Sequence, residues 1–163
     1  MNNNDILRRI RYALSLSDEQ MSDAFSQSGL TADAGQVRAW MGKEEDEDAQ
    51  TCTDAVLTDF LDGLIIAKRG PRKPGSPPPV REEILTNNAV LKKLRIALTL
   101  HEDGMLSALS AGGQPLSRGE LSALFRKPNH KHYRECGDQV LRNFLKGLTE
   151  TLRAGSPPEG DQS

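Results

Sequence analysis

Residues 130–148 read HKHYRECGDQVLRNFLKGL and end in the densest apolar stripe of the chain. The apolar residues are spaced as one face of an α-helix. They are Val140, Leu141, Phe144, Leu145 and Leu148. This spacing predicts a helix that buries its apolar face against other helices.

The same pattern occurs earlier in the chain, so the chain consists of two copies of one helical unit. Eight residues of the stretch have an identical partner 84 positions before them. The earlier set is Cys52, Asp54, Val56, Leu57, Phe60, Leu61, Gly63 and Leu64, and the later set is Cys136, Asp138, Val140, Leu141, Phe144, Leu145, Gly147 and Leu148. Glycine inside a helix costs about 1 kcal/mol relative to alanine. Because both copies keep it, we expect another helix to pass close to Gly63 and Gly147.

The chain divides into two copies, a linker and a tail. The first copy spans residues 1–70 and the second spans residues 87–155. A Pro- and Gly-rich linker at residues 71–86 is expected to be extended, and the polar tail at residues 156–163 is expected to be disordered. A unit of about 60 residues buries only about 60% of its unfolded surface. We therefore predict an all-α protein of two four-helix units, related by pseudo-symmetry and packed on each other through helix four and helix one.

Capping residues predict where the second and third helices begin. Ser17 with Gln20, and Ser117 with Glu120, have the spacing of a capping box, in which each side chain bonds the other residue's backbone amide. In the second copy, His101 occupies the position equivalent to Ser17. We therefore expect the second copy to lack this serine cap.

The two copies carry opposite net charge. Residues 1–70 contain 7 Lys and Arg against 13 Asp and Glu, which gives −6, and residues 87–155 contain 11 against 6, which gives +5. The contrast is strongest where residues 44–48 are all acidic and residues 126–132 are rich in Arg, Lys and His. Three interpretations stay open: the halves attract each other, only the second copy meets an anionic partner, or the surfaces have drifted without consequence.

The sequence predicts a cytoplasmic protein with reduced cysteines. No signal peptide or membrane span is visible, because Arg8, Arg9 and Arg11 interrupt the apolar residues of the first helix. Two cysteines without a framework suit a reducing compartment. Cys52 and Cys136 hold equivalent positions, so a disulfide would need a symmetry axis close to both. We expect two buried free thiols.

No motif in the chain predicts catalysis. The sequence has no glycine-rich phosphate loop, no nucleophile in a recognisable setting and no carboxylate pair on an apolar face. The acidic run at residues 44–48 lacks the spacing and the turn glycine of a calcium loop. We therefore predict a protein that is not an enzyme, with no cofactor and no small-molecule substrate.

One short segment contains side chains that could bind zinc. His130, His132 and Cys136 form the pattern H-x-H-x3-C. The first copy has no histidine at the matching positions, and a structural zinc site normally has four ligands. We interpret the segment as a polar loop with a capping role and predict no metal.

The order of elements is helix-turn-helix-like. Helix two, a turn at Gly29 and a third helix with Val37 and Trp40 follow the order of repressor domains, in which helix three enters the major groove. Helix two is longer than in that pattern, and so is the interval from Gly29 to Val37. The isoelectric point near 5.9 also differs from that of a basic DNA-binding domain. The likeness is therefore confined to element order.

The basic second copy supplies the candidate contacts to nucleic acid. Arg118 and Ser122 lie where the third helix would face base edges. Four further cations are available to phosphates: Arg126, Lys127, Lys131 and Arg134. We predict a binding protein that associates with nucleic acid through this copy. The alternative is a protein-interaction module, such as a homodimer in which acidic copy meets basic copy, without nucleic-acid binding.

Several stretches resemble a bacterial family of duplicated helical proteins represented by YehS. In the second copy they are NAVLKKLRIA at residues 88–97, FRKPNHK at residues 125–131 and YRECGDQ at residues 133–139. In the first copy, FLDGLI at residues 60–65 fits the family pattern. The likeness covers residues 3–153 with both copies in order, and it implies a cytoplasmic bacterial protein. The family has no known function, so it implies no catalytic or binding residues.

Overall fold

The computed structural model describes residues 1–76 and 84–155. Within these ranges the secondary structure is entirely helical, with four helices in each copy. They are α1 (Asn3–Leu14), α2 (Asp18–Gln27), α3 (Ala34–Trp40), α4 (Asp54–Arg69), α5 (Asn87–Ala97), α6 (Glu102–Ala111), α7 (Arg118–Leu124) and α8 (Asp138–Gly155). The predicted duplicated all-α fold is confirmed. Residues 77–83 of the predicted linker and all of the predicted disordered tail lie outside the described residues.

The capping boxes form as the sequence predicts. The Ser17 hydroxyl accepts a hydrogen bond from the Gln20 backbone amide at 3.1 Å, and Ser117 does the same for Glu120 at 3.1 Å. The reciprocal side-chain bonds are also present. His101 makes no side-chain cap bond at the start of α6. Local sequence therefore sets the starts of these helices.

Both helix glycines lie against the backbone of another helix. A Cβ atom on Gly63 would lie 1.6 Å from the carbonyl oxygen of Ala24 in α2. A Cβ atom on Gly147 would lie 1.6 Å from the carbonyl oxygen of Ala108 in α6. The predicted close approach is confirmed, and in each copy it seats the second helix directly on the fourth.

The two copies pack through their first and fourth helices, as the sequence predicts. Helix α1 of the first copy packs against α8 of the second, and α5 packs against α4. We call these contacts the α1–α8 seam and the α4–α5 seam. Buried apolar side chains of both copies form a single core. Each copy therefore covers apolar surface that the other would expose alone.

Asp54 joins the starts of three helices at one end of this core. Its Oδ1 accepts a hydrogen bond from Asn3 Nδ2 at 2.7 Å, and its Oδ2 accepts one from the Leu85 backbone amide at 3.0 Å. Asn3 belongs to α1, and Leu85 lies two residues before α5. The carboxylate also lies in the first turn of α4, where the helix dipole favours negative charge.

Asp138 does the same for the second copy. Its Oδ1 accepts from Asn87 Nδ2 at 2.8 Å, and its Oδ2 accepts from the terminal amine of Met1 at 2.8 Å. The hydrogen bond from that amine, followed by the one from Asn87, lowers the pKa of Asp138.

At the other end of the α1–α8 seam, Arg153 lies over the Tyr12 ring. Helices α1, α4, α5 and α8 therefore run in one direction, and the loops that precede α4 and α8 lie at the same end.

Candidate nucleic-acid interface

The loop between α7 and α8, residues 125–137, is fastened to α5 by one buried side chain. We call these residues the basic loop. Asn88 Nδ2 donates to the Leu124 carbonyl oxygen at 2.8 Å and to the Arg134 carbonyl oxygen at 2.9 Å. Its Oδ1 accepts from the Cys136 backbone amide at 2.9 Å. The two ends of the loop are therefore held at fixed positions.

The first copy uses the same device for residues 41–53, which we call the acidic loop. Asn4 Nδ2 donates to the carbonyl oxygens of Gly42 at 3.1 Å and Gln50 at 2.8 Å. Its Oδ1 accepts from the Cys52 backbone amide at 2.8 Å. The repeat thus presents two loops on matching supports, and their opposite charges are the main difference between them.

Two of the predicted contact residues are engaged within the protein. Arg118 forms ion pairs with Glu102 and, at 2.8 Å, with Asp103, both in the first turn of α6. Arg134 forms an ion pair of 3.3 Å with Glu120. These three carboxylates therefore offset the charge of the two arginines.

Ser122 lies on the exposed side of α7, as predicted. That helix has only seven residues. Its exposed charged residues are Arg118 and Glu120, which have opposite signs. The surface of α7 therefore carries little net attraction for a polyanion, and the positive charge lies on the loop that follows.

The other three predicted residues leave positive charge uncompensated on the basic loop. Lys127 and Lys131 are exposed, and the side chain of neither makes a hydrogen bond or ion pair within the part of the chain that the structure describes. Arg126 is half-buried and donates to the His132 carbonyl oxygen at 3.2 Å, and it forms no ion pair among residues 1–76 and 84–155. These three side chains are the most available cations of the predicted set.

One residue of the basic loop and one beside it were not among the predicted contacts. Lys92 of α5 and Tyr133 line a cleft of about 170 Å³ together with Arg126, Lys127 and other residues of the loop. Arg8 is the equivalent of Lys92 in the first copy and pairs with Asp5. The second copy has Ala89 at the position equivalent to Asp5, so Lys92 lacks the counter-ion that Arg8 has. The loss of a carboxylate between Asp5 and Ala89 is the feature of the sequence that points to Lys92.

The histidines and the cysteine of the H-x-H-x3-C pattern occupy different environments. His130 and His132 are exposed, and the His132 backbone amide donates to His130 Nδ1 at 3.0 Å. Cys136 is buried. Across residues 1–76 and 84–155, no group of three or more His, Cys, Asp or Glu residues is placed to hold a metal ion. The histidine ring helps to order a turn of the loop.

Both cysteines are free and buried, as predicted. Burial and, to a smaller extent, the nearby Asp54 carboxylate raise the pKa of the Cys52 thiol to about 12. Burial and the Asp138 carboxylate raise the pKa of Cys136 to about 11. Because the thiolate is the reactive form of cysteine, these raised pKa values disfavour reactivity, and both buried side chains contribute to packing.

Comparison with known proteins identifies the repeat. The family described as "Protein of unknown function (DUF1456)" matches residues 3–70 and again residues 87–154. The chain belongs to the DUF1456 family. The uncharacterised protein YehS of Escherichia coli (strain K12) is 43% identical over 148 residues, which are 91% of this chain and 94% of that protein. The resemblance noted in the sequence is thereby confirmed.

A DUF1456 match in this chain corresponds to one set of four helices, α1 to α4 or α5 to α8. No solved structure shows significant similarity to the chain. None of the helices in the described part of the chain combines the length and the apolar character that crossing a membrane requires.

Proposed function

We propose that the protein binds the phosphate backbone of nucleic acid through the basic loop of its second copy. The observation that supports this proposal is the set of uncompensated cations Arg126, Lys127 and Lys131 on a loop anchored by Asn88. Cations that neutralise phosphates release condensed counterions, which drives binding. Lys92 extends the same positive surface onto α5.

The paired charges of α7 favour binding without sequence preference. Reading bases from the major groove requires exposed side chains that are free to bond base edges. The guanidinium of Arg118 is already bonded to two carboxylates. Arg118, Ser122 and Arg134 therefore border the proposed contact, and Arg126, Lys127 and Lys131 make it.

The proposal predicts a salt-dependent affinity that is lost when the two free lysines are reversed. If three phosphates are neutralised, affinity for duplex DNA should fall about fortyfold between about 50 and 200 mM salt. The double variant Lys127→Glu/Lys131→Glu should bind at least about tenfold more weakly at the lower salt, with a shallower salt dependence. Fluorescence anisotropy with a labelled duplex of mixed sequence measures both effects.

The first copy supplies the matched control for this experiment. Lys43 is the equivalent of Lys127 in the acidic loop, so Lys43→Glu should leave the affinity unchanged. The proposal is wrong if the parent protein does not bind at the lower salt, if salt has no effect, or if Lys43→Glu weakens binding as much as the double variant.

Self-association is a second candidate function, and the position of the two loops supports it. The acidic loop and the basic loop lie at the same end of the parallel helices α1, α4, α5 and α8. Residues 44–48 of the acidic loop are exposed. A two-fold axis perpendicular to the helices would place each acidic loop against the basic loop of a second copy of the chain.

This second candidate predicts a dimer that is sensitive to salt. Light scattering should give a dimer mass at about 50 mM salt and a monomer mass at about 500 mM salt, because exposed ion pairs are screened. Lys127→Glu/Lys131→Glu should be monomeric at both concentrations. A parent protein that is monomeric under both conditions would exclude the dimer and leave the basic loop free for phosphate.

A further inference from the structure

A cavity of about 430 Å³ opens at the α1–α8 seam, on a surface separate from the basic loop. Its walls consist of Arg8, Arg9 and Tyr12 from α1 and of Leu145, Lys146, Thr149 and Glu150 from α8. Leu145, the Tyr12 ring and the aliphatic stems of the long side chains make these walls largely apolar. The volume falls within the range of small-molecule sites.

The α4–α5 seam shows what the repeat places at the equivalent position. There Lys93 Nζ forms an ion pair of 2.6 Å with Asp62 Oδ1, and the two side chains are only 18% and 17% exposed. The equivalents of Lys93 and Asp62 in the α1–α8 seam are Arg9 and Lys146. One seam therefore carries a cation and its carboxylate, and the other carries two cations.

The charge around the cavity leaves room for one anionic group. Arg8 is partnered by Asp5 and by the carbonyl oxygen of Met41 at 2.6 Å. In the described ranges, the side chains of Arg9 and Lys146 make neither an ion pair nor a hydrogen bond. Glu150 is the single carboxylate among the lining residues. Arg9, Lys146 and Glu150 together have a net charge of +1, which favours an anionic group at the cavity.

The open space at the α1–α8 seam also reflects divergence between the copies. The α4–α5 seam has isoleucine at three equivalent positions. Ile65 corresponds to Thr149, Ile66 to Glu150 and Ile96 to Tyr12. Thr149 is shorter than isoleucine, and Glu150 is exposed. The α1–α8 seam thus has less branched aliphatic volume and an exposed aromatic ring, Tyr12 being 63% exposed.

We propose that the α1–α8 seam binds a small organic anion with an apolar body. Its carboxylate or phosphate takes the place that Asp62 holds in the other seam and bridges Arg9 and Lys146. Its body lies against Leu145 and against the face of the Tyr12 ring that Arg153 leaves open. This site shares no residue with the proposed nucleic-acid contact, so either proposal can fail without the other.

Four probes separate the contributions of head and body. Phenyl phosphate and benzoate carry an aromatic body with either anionic head, inorganic phosphate carries a head alone, and benzyl alcohol carries a body alone. In titrations followed by ¹⁵N–¹H NMR, the amides of residues 8–12 and 145–150 should shift saturably with phenyl phosphate, benzoate or both. The head alone and the body alone should bind at least about tenfold more weakly. The stronger of the two aromatic anions identifies the head group.

Lys146→Asp tests the proposal by rebuilding the ion pair of the other seam. The variant gives Arg9 a carboxylate partner, so it should stay folded and bind the aromatic anions at least about tenfold more weakly than the parent. Lys146→Gln should also weaken binding and serves if the first variant fails to fold, which circular dichroism reports. Lys127→Asp, which removes a cation from the basic loop, should not change binding.

Three results would overturn the proposal. The first is the absence of saturable shifts at the seam with both aromatic anions. The second is a folded Lys146→Asp or Lys146→Gln variant that binds like the parent. The third is a set of shifts spread over the exposed cations, the basic loop included, which would indicate nonspecific attraction of anions to positive charge.

Discussion

Gly147→Ala is expected to lower the free energy of unfolding by about 3 kcal/mol or more. The added Cβ would lie 1.6 Å from the Ala108 carbonyl oxygen and 2.7 Å from the Gly112 backbone nitrogen. Both atoms belong to the backbone of α6 and its C-terminal cap, so no side-chain rotation relieves the clash, and α6 must move off α8. This expected loss of stability is opposite in sign to the effect of helix propensity alone, which favours alanine over glycine by about 1 kcal/mol.

Urea unfolding followed by circular dichroism measures this effect. Gly63→Ala should cost a similar amount, because its Cβ meets the Ala24 carbonyl oxygen at the same distance of 1.6 Å. Gly119→Ala is the control: it is an exposed helix position where the nearest heavy atom to a new Cβ is Ser117 Oγ at 4.0 Å. Its stability should be unchanged or raised by less than about 1 kcal/mol. Equal effects at Gly119 and Gly147 would contradict the close packing.

Asn88→Ala is expected to destabilise the protein by about 3 kcal/mol and to loosen the basic loop. The substitution removes three hydrogen bonds and leaves the buried Cys136 amide and two carbonyl oxygens without their partner. Each buried group left unsatisfied costs about 1–3 kcal/mol. Asn88→Asp keeps the acceptor for Cys136 but loses both donors, so it should also be destabilising.

Two controls separate the loss of stability from the effect on the loop. Asn129→Ala removes an exposed amide of the same loop, and stability should stay within about 0.5 kcal/mol of the parent. Asn4→Ala breaks the equivalent bonds of the acidic loop and should cost as much stability as Asn88→Ala. If the proposed function is right, only Asn88→Ala should also weaken binding to DNA. A neutral effect of Asn88→Ala on unfolding would contradict the anchoring role of this side chain.

Features that follow from local rules could be predicted from the sequence. The capping boxes at Ser17 and Ser117 depend on side chains three residues apart, and the sequence contains both partners of each. The duplication also made one type of tertiary contact predictable. A glycine that costs stability inside a helix and occurs at both positions 63 and 147 predicts that another helix passes close in each copy.

The state of each charged side chain could not be predicted in this way. Arg118 pairs with Glu102 and Asp103, and Arg134 pairs with Glu120, because the packing of α6, α7 and the basic loop brings together residues that are 14–16 positions apart. No periodicity encodes such separations. The sequence therefore located the positive region but did not distinguish neutralised arginines from free lysines.

The buried asparagines show a second limit of sequence reasoning. Asn4 and Asn88 are polar residues at equivalent positions of two amphipathic helices. Their function depends on carbonyl and amide groups of a loop more than 30 residues away. Pattern analysis treats an asparagine at a helix start as a cap or a surface residue, and only the tertiary fold reveals it as a loop anchor.

The two seams have an evolutionary consequence. In a symmetric dimer of identical subunits, both interfaces carry the same residues, so every substitution occurs twice and must suit both. A single polypeptide with two copies is free of that constraint. Here one interface retains the charge pair of Lys93 and Asp62, while Arg9 and Lys146 occupy the corresponding positions of the other. Selection can therefore reshape one interface for a new ligand while its counterpart continues to hold the halves together.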